Sequence, residues 1–200
     1  MTDRRFNASQ AHRLDAPERL LWLPPAEVVG ALAVQPGETI ADVGAGTGYF
    51  ALPLAAAAGP QGKVYAVDAQ EEMLAHLRQK LQDDAGAAIE LVHADADATG
   101  LPEASCSLVF LANAWHEFAD RAAVLREARR ILKPDGRVAI LDWRPDVERE
   151  GGPPLDHRLR ASDAVEAMRA AGFGQIAQIN VGQYSWLVQG LVQGLMQEER

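Results

Sequence analysis

Two hundred residues of 21.6 kDa, 48% apolar and 24% charged, describe one globular domain with enough chain to bury a core without covalent staples. Cys106 is the only cysteine, which excludes an intrachain disulfide framework and a thiolate metal cluster, and no run approaches the roughly 18 apolar residues of a membrane span. A formal net charge of −9 repels polyanions on average, and no basic patch offsets it. The expectation is therefore a cytoplasmic protein acting on something small, as a monomer or homodimer, with neither nucleic acid nor a membrane as partner. The polar opening stretch does not read as a secretion signal.

In chain order, the first 35 residues read as short helices broken at Pro24–Pro25, with Pro25 placed to start the second. Thr39–Val43 predicts a strand, followed by the glycine-rich GAGTG and an apolar helix over Tyr49–Ala58. Lys63–Val67 predicts a second strand, then a helix carrying Met73, Leu74, Leu77 and Leu81 on one face. Ile89–His93 and Ser107–Ala112 predict strands three and four. Asp120 reads as the N-cap of a helix with Val124, Leu125, Ala128, Ile131 and Leu132 turned inward, stopped by Lys133–Gly136, and Arg137–Asp142 predicts strand five. Repeated strand–helix–strand steps imply a mostly parallel sheet with helices on both faces.

The ending breaks that rhythm. After a helix over Ser162–Ala171, closed by Gly172, the strands Gln175–Val181 and Tyr184–Gln189 are separated only by Gly182–Gln183. A connection that short makes an antiparallel hairpin. The fold expected is an α/β Rossmann-like three-layer sandwich, with a mostly parallel seven-stranded sheet and one antiparallel strand from the C-terminal hairpin. The polar stretch Arg144–Arg160 predicts a long loop beside the strand ends where open α/β sheets bind ligands. The apolar tail Leu187–Met196 is expected to bury itself on its own sheet or on a partner.

The chemistry starts at Asp42-Val-Gly44-Ala-Gly46-Thr-Gly48, at the end of the first strand. Glycines there let the backbone approach a ligand, and the following helix presents free N–H groups. Asp68, at the end of the second strand, is placed to accept from both hydroxyls of a ribose. Together they indicate an adenosine-containing cofactor. Gly46-Thr-Gly48-Tyr-Phe-Ala51 also satisfies the dinucleotide spacing, which keeps an NAD-linked oxidoreductase as an alternative. Against it, Asp42 would set a carboxylate facing a pyrophosphate, whereas it suits an ammonium group.

DVGAGTG, VDAQEEML, LPEASCSLVFLANAWHEF and LREARRILKPDGRVAILDW, in that order and spacing, resemble the successive motifs of class I S-adenosylmethionine (SAM) dependent methyltransferases. Within that superfamily the chain most resembles the small bacterial enzymes of the ubiquinone/menaquinone methyltransferase-like group. The resemblance implies a single methyltransferase domain over residues 1–200. Residues 1–35 would form a helical cap, 36–142 the SAM-binding core, 143–161 an active-site loop, and 162–200 a helix, hairpin and tail. It implies SAM as cofactor and S-adenosylhomocysteine as product. Gly44, Ala45 and Gly46 would line the methionine part, with Asp42 near its amino group. Asp68 would hold the ribose, Ala69 and Met73 would flank the adenosine, and Asn113 would stand near the methionine moiety. Ala94-Asp95-Ala96-Asp97-Ala98 departs from the usual spacing by offering two registers at the adenine, Asp95–Ala96 being favoured and Asp97 close behind. Asp135 replaces a common glycine, which a turn tolerates.

Methyl transfer from a sulfonium depends mainly on positioning, and a base is needed only where the acceptor must lose a proton. His116 and Glu117 stand where such a base would be, the plainer alternative being local packing with Trp115 and Phe118. His157 and Arg158 in the long loop, and His12 and Arg13 near the N-terminus, are candidate acceptor contacts, or simply solvated side chains. His76 and the Arg126, Arg129 and Arg130 group are expected on solvated faces, and no histidine pair has metal-ligand spacing. The expected function is transfer of a methyl group to a small-molecule acceptor. A SAM-binding regulatory module without turnover is the alternative from another class.

Overall fold

Among the described residues of the computed structural model (6–82, 88–148 and 152–193), seven strands pair into one sheet. They are β1 (Thr39–Val43), β2 (Lys63–Asp68), β3 (Ile89–His93), β4 (Cys106–Ala112), β5 (Leu132–Trp143), β6 (Phe173–Val181) and β7 (Ser185–Val192). Their spatial order is β3-β2-β1-β4-β5-β7-β6; the pairs from β3 to β5 are parallel, and β7 runs antiparallel to both β5 and β6. The turn at Gly182, with φ of +58°, reverses the chain between β6 and β7. The single antiparallel strand thus comes from the C-terminal hairpin, whose turn takes in Tyr184 as well as Gly182 and Gln183, since β7 starts only at Ser185.

Alternation along the strands builds the two cores. In β4, Leu108 and Phe110 pack to one side while Val109 and Leu111 pack to the other; in β5, Ala139 and Leu141 oppose Val138 and Ile140. One side is closed by α2 (Pro25–Leu32) and α3 (Ala51–Ala58), the other by α5 (Arg121–Ile131) and α6 (Ala161–Ala170). The preceding short helix α1 spans Arg19–Trp22, and α4 spans Glu71–Gln82, with Met73, Leu74 and Leu77 buried. No helix among the described residues is long and apolar enough to cross a membrane.

Several boundaries differ from the sequence reading. Leu132 leaves the helix: its backbone is already extended (φ −74°, ψ 140°), and it opens β5 while staying buried. Pro134 cannot extend a helix, and Lys133–Gly136 is carried inside β5 as an irregularity, between the pairings Cys106↔Leu132 and Leu108↔Arg137. The helix expected from Tyr49 begins at Ala51. β7 continues past Gln189 to Val192, so the apolar tail as far as Val192 lies inside its own sheet between β5 and β6. Residues 194–200 of that tail, 149–151 of the long loop and 1–5 of the cap lie outside the described residues.

Arg129 and Arg130 are not simply solvated. Arg129 donates to the Gly172 and Gln193 carbonyls, and Arg130 grips Glu127 at 2.7 Å and the Leu101 carbonyl at 2.8 Å. The chain order changes direction at β1, whose neighbours are β2 on one side and β4 on the other. The carboxyl ends of β1, β2, β4 and β5 therefore diverge around one crevice.

Candidate active site

The strand ends open into a cavity of about 1390 Å³. This exceeds the roughly 300–1,000 Å³ of a pocket for one small ligand, so it has room for two. Asp42, Gly44, Ala45 and Gly46 line it from β1 and its loop; Asp68, Ala69 and Met73 line it from β2 and α4. Asp95, Ala96 and Asp97 all line it after β3, which leaves both registers of that segment at the cavity. Asn113, His116 and Glu117 follow β4, and His12, Arg13 and His157 come from the two outlying segments.

The glycine loop is shaped by contacts that a side chain would break. Gly44 has φ of +79°, and a Cβ built on it would come within 2.9 Å of the Ala114 Cβ. The Gly46 N–H donates to Asp68 Oδ2 at 2.8 Å, and the Gln70 N–H donates to Asp68 Oδ1 at 2.9 Å. One carboxylate thus joins the loop after β1 to the end of β2. Asn113 has a left-handed backbone (φ +55°), and both polar atoms of its amide are buried without a hydrogen-bond partner.

Asp42 is the most unusual group. It is 1% exposed, and neither carboxyl oxygen has a hydrogen-bond partner. Burial, reinforced by the nearby charge of Asp68 and only partly opposed by Arg19, pushes its pKa from 3.8 up to about 7. A buried acceptor left without a donor is costly, and such a site asks for a cationic or donating ligand.

The N-terminal segment, expected as a helical cap, contributes Phe6, Gln10, His12, Arg13 and Leu14 to the cavity wall. A 3₁₀ stretch over Ala8–Asp15 sets Leu14 against Gly46; Asp15 Oδ1 accepts from Thr47 Oγ1 at 2.8 Å and from Lys80 Nζ at 2.7 Å. The Phe6 N–H donates to Glu117 Oε2 at 3.2 Å, and the Gln70 side chain donates to the Phe6 carbonyl at 3.1 Å. Behind this strap, Arg19 is buried with its guanidinium 3.9 Å from the Tyr49 ring centroid and one amine donated to the Leu14 carbonyl. Nothing in the local sequence RLLW singled Arg19 out; its role depends on a strap that folds back over the sheet.

His116 and Glu117 sit together in a short 3₁₀ turn, Trp115–Glu117. His116 Nδ1 lies 2.9 Å from Asp142 Oδ1, and its Nε2 lies 3.8 Å from Glu117 Oε1. Burial acts most strongly on His116 and lowers its pKa. The Asp142 hydrogen bond and charge, with the charge of Glu117, outweigh it, and the net shift is upward. Burial also raises Glu117, to about 7, against the pull of His116 and the Phe6 N–H. Asp142 was not among the expected site residues; its one signal was an acidic side chain at the carboxyl end of a strand beside the crevice.

Arg158 is placed differently from the expectation of an acceptor grip. It does not line the cavity: its guanidinium donates to the carbonyls of Pro153 (3.0 Å), Arg144 (3.1 Å) and Val147 (2.7 Å) and lies 5.3 Å from the Trp143 ring centroid. It builds the loop from within. Its neighbour His157 reaches the cavity, as does Trp143, which packs against Trp22 at 5.0 Å between ring centroids.

Residues 41–140 match the family described as a methyltransferase domain, half of the chain. The chain belongs to that family. The methyltransferase domain is 34% identical over 116 residues to the ubiquinone/menaquinone biosynthesis C-methyltransferase UbiE of Cupriavidus pinatubonensis, covering 56% of this chain and 47% of the relative. It is 29% identical over 161 residues to the demethylmenaquinone methyltransferase of Listeria welshimeri, covering 80% of this chain and 65% of the relative. The chain thus spans about half to two thirds of the length of these curated relatives. A SAM-dependent methyltransferase from Aquifex aeolicus superposes with a TM-score of 0.88 at 29% identity, over 94% of this chain and all of that one. These matches favour the SAM reading of the glycine loop over the dinucleotide reading. The unpartnered Asp42 carboxyl and the Asp68 carboxylate at the cavity wall fit a SAM molecule, with an ammonium and a ribose diol to place.

Proposed function

We propose that this protein transfers a methyl group from SAM to a small-molecule acceptor held between the N-terminal strap and the 144–160 loop. The observation that carries the reading is Asp42: a buried carboxyl at the cavity wall, with no partner of its own, at the end of the strand that leads into the glycine loop. Bound SAM supplies a methyl group made electrophilic by a positively charged sulfur. Asp42 would receive its ammonium, Gly44–Gly46 and Asn113 would wall the methionine end, and Asp68 would accept from the ribose hydroxyls. Ala69 and Met73 would flank the adenosine, with Ala96 and either Asp95 or Asp97 at the adenine.

The strap is tied to the pocket wall through the Asp15–Thr47–Lys80 contacts and the Phe6–Glu117 bond. Beyond the cofactor, Phe6, Trp22, Phe118 and Trp143 present aromatic walls to the remaining space, with His12, Arg13 and His157 nearby. The names of the relatives, which concern ubiquinone and menaquinone, support an organic ring as acceptor. A cytoplasmic bacterial setting is supported by the single cysteine, the net charge of −9 and the bacterial relatives.

Calorimetric titration with SAM, S-adenosylhomocysteine and NAD tests the reading. Micromolar binding of the first two is expected, with NAD silent. Asp68→Ala should weaken SAM by at least about tenfold, since hydrogen bonds to a charged group contribute about 1.5–3 kcal/mol. Unchanged SAM affinity in that variant, or binding of NAD alone, would defeat the proposal.

A further inference from the structure

Asp142 lies near the end of β5, 1% exposed, and three of its contacts are made to the segment that carries His116. Oδ2 accepts the His116 backbone N–H at 2.9 Å, and the ring Nδ1 stands 2.9 Å from Oδ1 and 3.1 Å from Oδ2. Oδ1 also accepts the Trp143 N–H at 2.8 Å, which fixes the carboxylate from its own strand. An ionised carboxylate only accepts hydrogen bonds, so Nδ1 is the nitrogen that carries the proton. In the neutral ring Nε2 then keeps a lone pair, at a residue that lines the cavity.

Resting on the transferase reading above, we propose that Asp142 is a positioning residue that holds His116 as the general base for a hydroxyl-bearing aromatic acceptor. An amine attacks with a lone pair it already has, whereas a hydroxyl near neutral pH is a poor nucleophile until its proton leaves. A buried, oriented imidazole therefore suits an acceptor that must lose a proton, and so a hydroxyl rather than an amine. The aromatic walls at Phe6, Trp22, Phe118 and Trp143 suit a flat ring. As the acceptor oxygen takes the methyl carbon, its proton passes to Nε2 and the pair of the broken carbon–sulfur bond returns to sulfur. The products are a methyl ether, a neutral thioether and an imidazolium, which the Asp142 carboxylate stabilises. The other charged groups facing the ring are Glu117 from its own turn and Arg121 from α5, which donates to the His116 carbonyl at 3.4 Å; Asp68 from β2 acts on Glu117.

The first test needs no turnover. Two-dimensional ¹⁵N–¹H spectra of the wild-type protein, titrated upward in pH, should show His116 with Nδ1 protonated and Nε2 bare once it is neutral. The Nε2–H tautomer would overturn the proposal whether or not Asp142 variants fold. The second test is the pH profile of kcat/KM with a panel of hydroxyarenes, matched anilines and thiophenols. Activity on hydroxyarenes should fall on the acid side as His116 protonates. Asp142→Asn, whose amide favours the opposite tautomer, should lower the plateau by roughly 10²–10⁴-fold and move the acid limb to lower pH. SAM affinity should stay within about twofold, and Asp142→Glu should recover part of the rate. An unshifted limb, or methylation confined to anilines or thiophenols, would overturn the assignment. A protein that fails to bind SAM would instead defeat the transferase reading and leave the tautomer result standing.

Discussion

Replacing Asp42 with asparagine removes a carboxyl whose pKa is raised from 3.8 to about 7, at almost constant volume. The gap of about three units corresponds to about 4 kcal/mol at about 1.36 kcal/mol per unit. Its sign follows from proton binding: the folded protein holds this proton more tightly than the unfolded chain. The cofactor-free protein therefore loses stability as pH rises from about 4 through about 7, and Asp42→Asn should flatten that part of the curve. Binding reverses the preference, because an ammonium beside Asp42 favours the ionised form. With a pKa near 7, about 90% of Asp42 carries a proton at pH 6, while the ligand's amino group remains fully protonated. Binding of S-adenosylhomocysteine at pH 6 should then release about 0.9 proton from this site. Calorimetry in two buffers of different ionisation enthalpy measures that number directly. Asp42→Asn should release about 0.9 proton fewer than the wild type and bind at least about 10²-fold more weakly, the usual scale for losing one partner of a buried charge pair. Equal proton release by the two proteins would refute the assignment of Asp42 to the ammonium.

Three further changes probe the scaffold. Gly44→Ala places a Cβ 2.9 Å from that of Ala114 at a φ of +79°, and should abolish measurable SAM binding while lowering the melting temperature in a thermal scan. Arg158→Met leaves the Pro153, Arg144 and Val147 carbonyls without their shared donor. It should cost about 2–3 kcal/mol in denaturant unfolding, with hydrogen exchange rising around residues 144–158 and SAM affinity unchanged. Asp15→Asn loosens the contacts with Thr47 and Lys80. SAM dissociation followed by stopped flow should speed up several-fold, with little change in global stability.

The sequence by itself determined what depends on neighbours along the chain. Strand and helix alternation, the short turn before β7, the glycine loop after β1 and the acidic residue ending β2 are each written in local runs of residues, where periodicity and turn chemistry act. It also placed the part of the cavity wall built from the strand ends, because parallel strands deliver their carboxyl ends to one edge. What it could not show were pairings between segments far apart. Phe6 reaches Glu117 across 111 positions, and His116 reaches Asp142 across 26. Arg158 looked like a free cation until the loop closed its carbonyls around it. Leu132 fitted the helix periodicity, yet Pro134 two residues on, and a place beside Cys106 in the sheet, drew it into β5. Only the tertiary structure decided that Asp42 is left buried without a partner while Asp68 is tied to the loop. Burial, which pushes the Asp42 pKa up, and the hydrogen bonds that tie Asp68 to the loop are properties of the assembled sheet and strap.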